Sequence, residues 1–240
     1  MVWKRAGNET LLTKMNTPGY GSQEIFYKSY YRRVIHGKGL GSRAVRVTHM
    51  KMEKNVKGFY PKVLEVGGGG GDHLDYVKHT YSTYELLDVF HSPLPTKWEN
   101  QNIVITTGDV EAIPSVSSNY DRIVIPCLLH HVANPVLALQ ECNRVLKPGG
   151  HLTIFLSCDP GIMVRFLRKI TVSRLAKKLG FHGHSLMQAR DHRNHVGSLL
   201  EMIKFEFRSY KIERRFYPFR VPFWNLNGYI IFQGRKPMNN

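Results

Sequence analysis

The sequence predicts an α/β fold with a doubly wound, seven-stranded sheet, mostly parallel with an antiparallel edge strand, and an N-terminal helical cap. From Lys62 onward, short apolar runs alternate with segments of helical periodicity, which is typical of a parallel sheet with helices on both faces. The last two strand-like runs have no helical segment between them, which indicates an antiparallel pair. The chain has 240 residues, of which 42% are hydrophobic, enough to bury the core of one large domain.

The N-terminal region, residues 1–57, is expected to form an arm followed by the helical cap. Residues 1–22 show little periodicity. Apolar and aromatic residues recur at helical spacing over 23–35, and residues 42–56 indicate a second, basic helix. Residues 58–240 are predicted to form the α/β domain, with a helical insertion at 164–200.

Each element of the α/β domain follows from a local pattern. Strands are expected in the runs KVLEV, TYELLDV, NIVITTGD, RIVIP, HLTIFLS, YKIERRFYPF and NLNGYIIFQG. Helices are expected from Asp72, in NPVLALQECNRVLKPGG before Pro148-Gly149-Gly150, over 162–179 before Gly180, and in VGSLLEMIKFEF.

The cysteines and the hydropathy pattern indicate the compartment in which the protein is expected. Cys127, Cys142 and Cys158 are odd in number and show no CxxC spacing, which argues against a disulfide framework or a zinc site. A reducing compartment fits this usage. The sequence has no apolar stretch of about 20 residues and no apolar region of a signal peptide, so a soluble, cytoplasmic protein is expected.

The net charge of +16 is distributed unevenly. Residues 1–62 hold 13 Lys/Arg and 3 Asp/Glu, and residues 161–240 hold 16 and 4. The middle, residues 63–160, is mildly acidic, with 5 and 11. Two basic flanks suggest an anionic partner, although a solvated basic face would have the same composition.

Five consecutive glycines, Gly67 to Gly71, directly follow the first predicted strand. In a parallel sheet, this loop is the usual ligand contact because the ligand can approach its backbone. The dinucleotide fingerprint fails because its third glycine would fall on positions 72 to 74, and the phosphate-binding loop fails because no Lys-Ser/Thr follows. What remains is an acid, Glu65, followed by three alternating glycines.

This arrangement resembles motif I of class I S-adenosylmethionine-dependent methyltransferases, which have a Rossmann-like fold. In that family the acid supports the amino-acid end of the cofactor, and the glycines let the backbone close around it. The cofactor carries an ammonium and a sulfonium, which a carboxylate suits better than a phosphate cradle does. The family loop usually has Cys, Ser or Thr where this chain has Gly68 and Gly70, and we interpret these two glycines as passengers that loosen the loop.

Three later segments match the family in order and spacing. Asp88 ends the second strand, where an acid can accept both ribose hydroxyls. In GDVEAIP the resemblance implies that Asp109 bonds the adenine amine, with Val110 and Ile113 beside the ring. The segment LLHHVANPVLALQECNRVLKPGG is typical of the branch that methylates diverse small molecules, often called type 11. The implied cofactor is S-adenosylmethionine, with S-adenosylhomocysteine as product and no metal, and its implied binding residues are Glu65, Val66, Gly67, Gly68, Gly69, Gly71, Asp88, Val89, Gly108, Asp109, Val110, Pro126 and His131.

Methyl transfer from a sulfonium requires mainly that the acceptor be held close and in line. A base is needed only if the acceptor must lose a proton. His130 and His131 follow the fourth strand, where the methyl group should point, and histidine titrates near neutral pH. Either could be the base, or both could be ordinary loop residues that pack or hold the backbone. Tyr27 and His195 complete the catalytic candidates.

The acceptor site is expected to combine three segments. RDHRNH places cationic residues before a helix N-terminus, a natural anion site, with Asn194 as the candidate N-cap. N-terminal helices in this family usually cover the cofactor and line the acceptor pocket. The C-terminal tail resembles a subgroup associated with polysaccharide and surface-glycan synthesis. The substrate-binding candidates are Tyr20, Tyr30, Tyr31, His192, Arg193, Asn194, His195 and Trp224.

The favoured hypothesis is therefore a methyltransferase for an anionic small molecule, such as a phosphorylated or nucleotide-linked sugar or glycan precursor. The alternative is an RNA-binding protein or RNA methyltransferase that uses the basic flanks, whose phosphate contacts would make binding salt-dependent. Against it, no NPPY-type motif for base amines follows the fourth strand. A third reading places the basic helix 162–179 on an anionic membrane surface.

Overall fold

The computed structural model describes residues 39–99, 101–171, 173–174 and 189–238. The chain forms two units, Met1–Val47 with Phe166–Asp191, and Thr48–Arg165 with His192–Asn240. The second unit contains the whole sheet. The predicted helix at 23–35 and the candidates Tyr20, Tyr27, Tyr30 and Tyr31 lie outside the described residues, as do Gly180 and residues 172 and 175–179 of the expected helix before it.

The sheet has seven strands in the order β3-β2-β1-β4-β5-β7-β6. β1 to β5 pair in parallel, and β7 is antiparallel to both of its neighbours, β5 and β6. The expected antiparallel pair at one edge is confirmed, with β6 outermost. The strands are β1 (Phe59–Val66), β2 (Thr80–Asp88), β3 (Ile103–Thr107), β4 (Tyr120–Pro126), β5 (Leu146–Ser157), β6 (Lys211–Tyr217) and β7 (Tyr229–Arg235).

The described helices with bounds are α1 (Leu40–Met52), α2 (Pro135–Val145), α3 (Ile162–Ile170) and α4 (Val196–Glu206). α2 begins where its sequence indicates, because Asn134 accepts the N–H of Leu137 at 3.2 Å and a proline opens the first turn. None of the helices within these described ranges is long and apolar enough to cross a membrane.

Two expectations about the elements are wrong. The segment after Gly71 forms only a short 3₁₀ turn, Leu74–Tyr76, before the chain becomes extended at Val77. β2 already begins at Thr80, so the connection is too short for an α-helix that packs back on the sheet. In addition, β5 begins at Leu146, directly after α2 and before the expected run HLTIFLS, so the strand includes Pro148-Gly149-Gly150.

The side chains of the sheet alternate between two buried faces, as the strand geometry requires. One face, which we call the apolar face, packs against α2 and α4 through residues such as Ile123, Ile154 and Leu139. The other, which we call the ionic face, contains Glu65 and Arg122 among its buried side chains and packs against the end of α1 through Met52. The parallel strands β1 to β5 have their carboxyl ends at one edge of the sheet, and the candidate site lies there.

Candidate functional site

The glycine loop turns sharply over the carboxyl end of β1. Gly67, Gly69 and Gly71 have φ angles of 75°, 49° and 73°, a region that side chains rarely adopt. Space is also restricted at the first of these residues, where a Cβ would lie 3.0 Å from Cδ1 of Leu128 in the loop after β4. The alternating register predicted from the sequence therefore corresponds to three left-handed backbone positions.

The two remaining glycines of the loop differ from each other. A Cβ on Gly68 would lie 2.8 Å from Cδ2 of Leu86, whereas one on Gly70 would meet only Cβ of Ser92, at 3.4 Å. Gly68 is thus not a passenger, as the sequence interpretation had it, because the loop passes directly over a buried leucine of β2. Gly70 alone fits that interpretation.

Asp88, at the end of β2, holds the glycine loop in place. Its Oδ2 accepts the backbone N–H of Gly69 at 2.9 Å, and its Oδ1 accepts the N–H of Phe90 at 3.1 Å. A carboxylate offers about four lone-pair positions, so each oxygen can accept a further bond. Within the described residues, the N–H of Gly70 is the one loop amide without an acceptor in the protein.

The segment after β3 brings Gly108 and Asp109 to the same edge of the sheet. The N–H of Gly108 donates to the carbonyl of Asp88 at 3.0 Å, which fixes the two segments side by side. Asp109 caps the 3₁₀ turn Val110–Ala112 by accepting the N–H of Glu111 at 2.9 Å. Val110 and Ile113 are buried in the core of the apolar face, so they do not present an open surface for a ring.

Glu65 lies beneath the loop rather than in an open pocket. Its side chain is fully buried, and its Oε2 accepts the hydroxyl of Tyr84 at 2.7 Å. Burial raises the pKa of this carboxyl, although the nearby His73 and the Tyr84 hydroxyl oppose the shift. Val66 is equally buried, so only its backbone can face a ligand, whereas the side chain of Val89 is exposed.

The loop after β4 contains both of the expected catalytic histidines. His130 is fully buried, and its Nδ1 lies 2.7 Å from the carbonyl of Asn194. Burial lowers its pKa to about 4, although the bond to Asn194 opposes this. In this structure His130 has no surface that an acceptor could reach, so the geometry disfavours it as the base. His131 and Pro126 are partly exposed.

The segment before α4 is fastened to this loop. The backbone N–H groups of Arg193 and Asn194 both donate to the carbonyl of His130, at 3.0 and 3.3 Å. The side chain of Asn194 donates to the carbonyls of Leu129 and Val132, so it cannot cap α4 as expected. The N-cap is His195, which is exposed and makes no side-chain capping bond. Arg193 is also exposed.

His192 and Asp159 form a pair that sequence reasoning did not connect. Nδ1 of His192 lies 2.7 Å from Oδ2 of Asp159, which lies two residues after the end of β5. The His192 ring stacks on His130 at 5.3 Å and meets His131 edge-on at 4.6 Å. A signal for Asp159 was present in the sequence, since aspartates also follow or end the second and third strands.

The candidate Trp224 lies in the connection between β6 and β7 and is partly buried against the apolar core. The fold of this connection is held by Asn227, which is fully buried and donates to the carbonyls of Val221 and Phe223. Among the described residues, no group of three or more His, Cys, Asp or Glu side chains is arranged to hold a metal ion.

Comparisons with known proteins bear on the fold and on the class of reaction. Residues 64–154 match a family model described as a methyltransferase domain. Over 109 residues the chain is 43% identical to the ubiquinone/menaquinone biosynthesis C-methyltransferase UbiE of Coxiella burnetii, covering 41% of this chain and 44% of that protein. The corresponding enzyme of Shewanella sp. (strain W3-18-1) is 31% identical over 109 residues, with 41% and 43% covered. The chain thus spans less than half the length of these relatives.

Solved structures share the fold at low sequence identity. A SAM-dependent methyltransferase of Thermotoga maritima superposes with a TM-score of 0.54 at 16% identity, covering 89% of this chain and 97% of that one. The N-methyltransferase NodS of Bradyrhizobium japonicum, in complex with S-adenosyl-L-homocysteine, has a TM-score of 0.54 at 13% identity, covering 95% and 97%. At such identities the likeness shows the fold.

Proposed function

Because the chain carries a class I S-adenosylmethionine-dependent methyltransferase domain, we propose that it transfers a methyl group from S-adenosylmethionine to a small-molecule acceptor. The observation that carries the proposal is the glycine loop held over β1 by Asp88. A bound cofactor supplies an electrophilic methyl group on a sulfonium and leaves as S-adenosylhomocysteine. The curated relatives catalyse C-methylation by name, which supports the reaction class.

The residues present fit this cofactor. Asp88 retains acceptor capacity on both carboxylate oxygens while holding the loop, as ribose hydroxyls require. The N–H of Gly70 is available to an acceptor group. Gly108 and Asp109 lie beside Asp88, where we propose that they meet the adenine. Because Glu65 is buried beneath the loop, we propose that it supports the loop and does not contact the cofactor directly.

Isothermal titration with S-adenosylhomocysteine tests the cofactor site. We expect micromolar binding by the wild type and roughly tenfold or greater weakening by Asp88→Asn, because hydrogen bonds to a charged group contribute about 1.5–3 kcal/mol. Asp75→Asn is a matched control, since Asp75 is partly exposed and pairs with Lys97 outside the loop. No binding by the folded wild type would contradict the function, and unchanged binding by Asp88→Asn would contradict the site.

We further propose an anionic acceptor, such as a phosphorylated or nucleotide-linked sugar. Arg193 and His195 are exposed beside the partly buried His192, and the basic flanks add positive charge. A ring-carbon acceptor is the second candidate, favoured by the 43% identity to a C-methyltransferase. RNA is a third, and it rests on the flanks alone. We propose that the reaction takes place in the cytoplasm, because the number and spacing of the three cysteines in the sequence fit a reducing compartment.

Methyl-labelled cofactor distinguishes these acceptors. The protein is incubated separately with the anionic small-molecule fraction, the organic-solvent extract and the total RNA of bacterial cells. Mass spectrometry then locates the label. We expect it in the anionic fraction. Label in the organic extract supports the ring-carbon acceptor, label in RNA supports the third candidate, and label in either one without the anionic fraction contradicts the anionic proposal.

A further inference from the structure

We infer that the connection between β6 and β7 is a docking surface for an anionic phospholipid membrane. Its exposed apolar side chains enter the lipid, and nearby arginines meet the phosphate groups. We call this connection, residues 218–228, the β6–β7 loop. Its basis is an unbroken run of exposed residues, 218–223, that includes Phe219, Val221 and Phe223. The docking surface is additional to the proposed methyl transfer and does not depend on which acceptor is used.

The exposed apolar side chains of the β6–β7 loop form a group. Four of them keep between 46% and 57% of their surface exposed: Phe219, Val221, Phe223 and Leu226. Ile162, the first residue of α3, is 70% exposed, and its backbone N–H donates to the side-chain oxygen of Asn225 in the loop at 3.4 Å. Single exposed apolar residues are ordinary on a protein surface, whereas a group of them marks an interaction site.

The backbone of the β6–β7 loop is fixed from inside by Asn227, whose side chain is fully buried. Its Oδ1 accepts the N–H of Phe219 at 3.1 Å. Its Nδ2 donates to the carbonyls of Val221 and Phe223 at 2.8 and 2.9 Å. Because one buried side chain satisfies three backbone groups of the loop, the loop is held in a conformation that keeps its apolar side chains outside the core.

The β6–β7 loop lies at the same edge of the sheet as the candidate site. Ser157, at the end of β5, pairs with Tyr229, which in turn pairs with Tyr217 at the end of β6. The loop that joins Tyr217 to Tyr229 therefore leaves the sheet at the carboxyl ends of the parallel strands. β7 is three strand spacings from β1, about 14 Å. A membrane that binds this loop thus lies at the edge that carries the glycine loop.

The charges around the β6–β7 loop are positive. Arg220 within the loop and Arg165 in the first turn of α3 are both exposed. In the sequence, residues 160–190 hold seven Lys/Arg and no Asp/Glu, and residues 214–240 hold five and none. Anionic headgroups attract such basic segments over about a Debye length. Positive charge beside exposed apolar side chains is the combination that binds a protein to the surface of an anionic membrane.

Other partners fit this surface less well. The phosphates of RNA would meet the arginines, but Val221, Leu226 and Ile162 are aliphatic and offer no ring on which a base can stack. A second copy of the chain would cover the apolar side chains. However, it would also bring Arg165 and Arg220 toward the same charges on its own surface, and like charges across an interface are unfavourable. An anionic lipid surface satisfies both the apolar and the basic residues.

Flotation with lipid vesicles tests the surface. One set of vesicles is phosphatidylcholine alone, and the other contains about 30% phosphatidylglycerol, which makes it anionic. We expect the wild type to float with the anionic vesicles and to bind the neutral ones about tenfold or more weakly, because the arginines gain nothing from a neutral surface. No flotation with the anionic vesicles, or equal binding to both sets, overturns the inference.

A double variant tests the apolar side chains. Phe219→Ser with Phe223→Ser should weaken binding to the anionic vesicles about tenfold or more, because two rings no longer enter the lipid. Both rings are exposed, so we expect the variant to fold, and circular dichroism checks this. Binding equal to that of the wild type overturns the inference.

The matched control replaces two exposed rings at the opposite edge of the sheet. Phe59, 59% exposed, begins β1, and Phe205, 68% exposed, lies in the last turn of α4. That turn is close to the start of β5, because the adjacent Glu206 accepts the side-chain amide of Asn143 at 2.8 Å. Phe59→Ser with Phe205→Ser should bind the anionic vesicles like the wild type. Equal weakening by both double variants would show that the β6–β7 loop is not the docking surface.

Hydrogen exchange of the wild type locates the contact without any substitution. We expect the amides of residues 218–226 to exchange several-fold more slowly when anionic vesicles are present. Protection that spares this segment and falls on residues 164–190 overturns the inference and assigns the membrane to the basic segment instead.

The same double variant distinguishes the other partners. Size-exclusion chromatography that shows a wild-type dimer and a monomeric Phe219→Ser, Phe223→Ser variant assigns the surface to a second copy. RNA that binds the wild type in a gel shift and is lost in this variant assigns it to nucleic acid. Either result overturns the lipid as partner, whereas a monomer in both proteins and no RNA binding at this loop support it.

Discussion

The two faces of the sheet are buried in different ways. The apolar face is closed by α2 and α4 with aliphatic side chains. On the ionic face, the carboxylate of Glu53 accepts hydrogen bonds from both terminal nitrogens of Arg122, a fully buried residue of β4. The apolar face needs only complementary shapes, whereas the ionic face needs specific partners, because a buried charge without one is costly.

The ionic face also reaches the glycine loop. Nε2 of His73, two residues after the loop, lies 2.9 Å from Oε1 of Glu53, and its Nδ1 lies 2.9 Å from Nδ1 of His49 on α1. Burial favours the neutral form of Glu53, but His73 and Arg122 outweigh it and lower its pKa to about 2. The two faces therefore have different roles. The apolar face stabilises the sheet, whereas the ionic face connects the end of α1, β4 and the segment after the glycine loop.

The largest expected effect comes from breaking the ion pair of the ionic face. Glu53→Gln leaves the charge of Arg122 buried without a counterion and should lower the free energy of unfolding by about 3–5 kcal/mol. Urea denaturation at pH 7 measures this change. The control replaces both partners, Glu53→Leu with Arg122→Met, and should be far less destabilised, because no charge remains buried. A double variant as unstable as the single one would contradict this account of the face.

A cavity in the apolar face should lower the free energy of unfolding slightly less than the loss of the ion pair does. Leu139 of α2 is fully buried in that core. Leu139→Ala should lower the free energy of unfolding by about 2–5 kcal/mol, and this loss should be the same at pH 7 and pH 5, since no titratable contact is removed. Val136→Ala is a control on the exposed side of the same helix, where the change should be small. A pH-dependent loss in Leu139→Ala would show that the faces are not independent.

The two faces also explain what the sequence could predict. The apolar face follows from local patterns, so its strands, α2 and α4 were placed correctly. The ionic face depends on partners that are distant in the chain, since Glu53 and Arg122 are 69 residues apart. No periodicity connects such residues, and the buried pairing of Glu65 with Tyr84 was likewise not foreseen.

The candidate site shows the same division. The alternating glycines and Asp88 lie together as their positions at strand ends predict. The sequence predicted Asn194 as the N-cap of α4, because asparagine is a preferred residue at that position. In the structure its side-chain amide instead donates to two carbonyls of the loop after β4. Asp159 could have been found from its position after a strand, but only the fold brings it to His192.

The glycine loop lies across both faces of the sheet. Its second and fourth glycines, Gly68 and Gly70, test how tightly the loop packs on β2. Gly68→Ala should destabilise the protein by about 1–3 kcal/mol, because its methyl group would overlap Leu86 of the ionic-face core. Gly70→Ala, the matched control, should stay within about 0.5 kcal/mol, since only Cβ of Ser92 is near. Thermal unfolding of both variants compares them. Equal stability would mean that the loop does not press on β2 as closely as its geometry indicates.

The smallest effect we expect is a gradual loss of stability in mild acid that originates on the ionic face. Burial lowers the pKa of His49 from 6.5 to about 3, with the charge of His73 adding to the shift. Because the folded pKa is depressed, the unfolded chain binds the proton first, and stability falls as the pH drops from about 6.5 toward 3. Between pH 7 and pH 5 this group alone should cost about 1–2 kcal/mol.

Urea denaturation of His49→Gln at both pH values isolates this contribution. The variant should lose less stability than the wild type between pH 7 and pH 5, because glutamine does not titrate. Leu139→Ala should keep the full wild-type loss, since its defect lies on the other face. If His49→Gln also keeps the full loss, the acid sensitivity arises elsewhere. His151, whose pKa burial lowers to about 3 with Arg122 adding to the shift, is then the next ionic-face residue to replace.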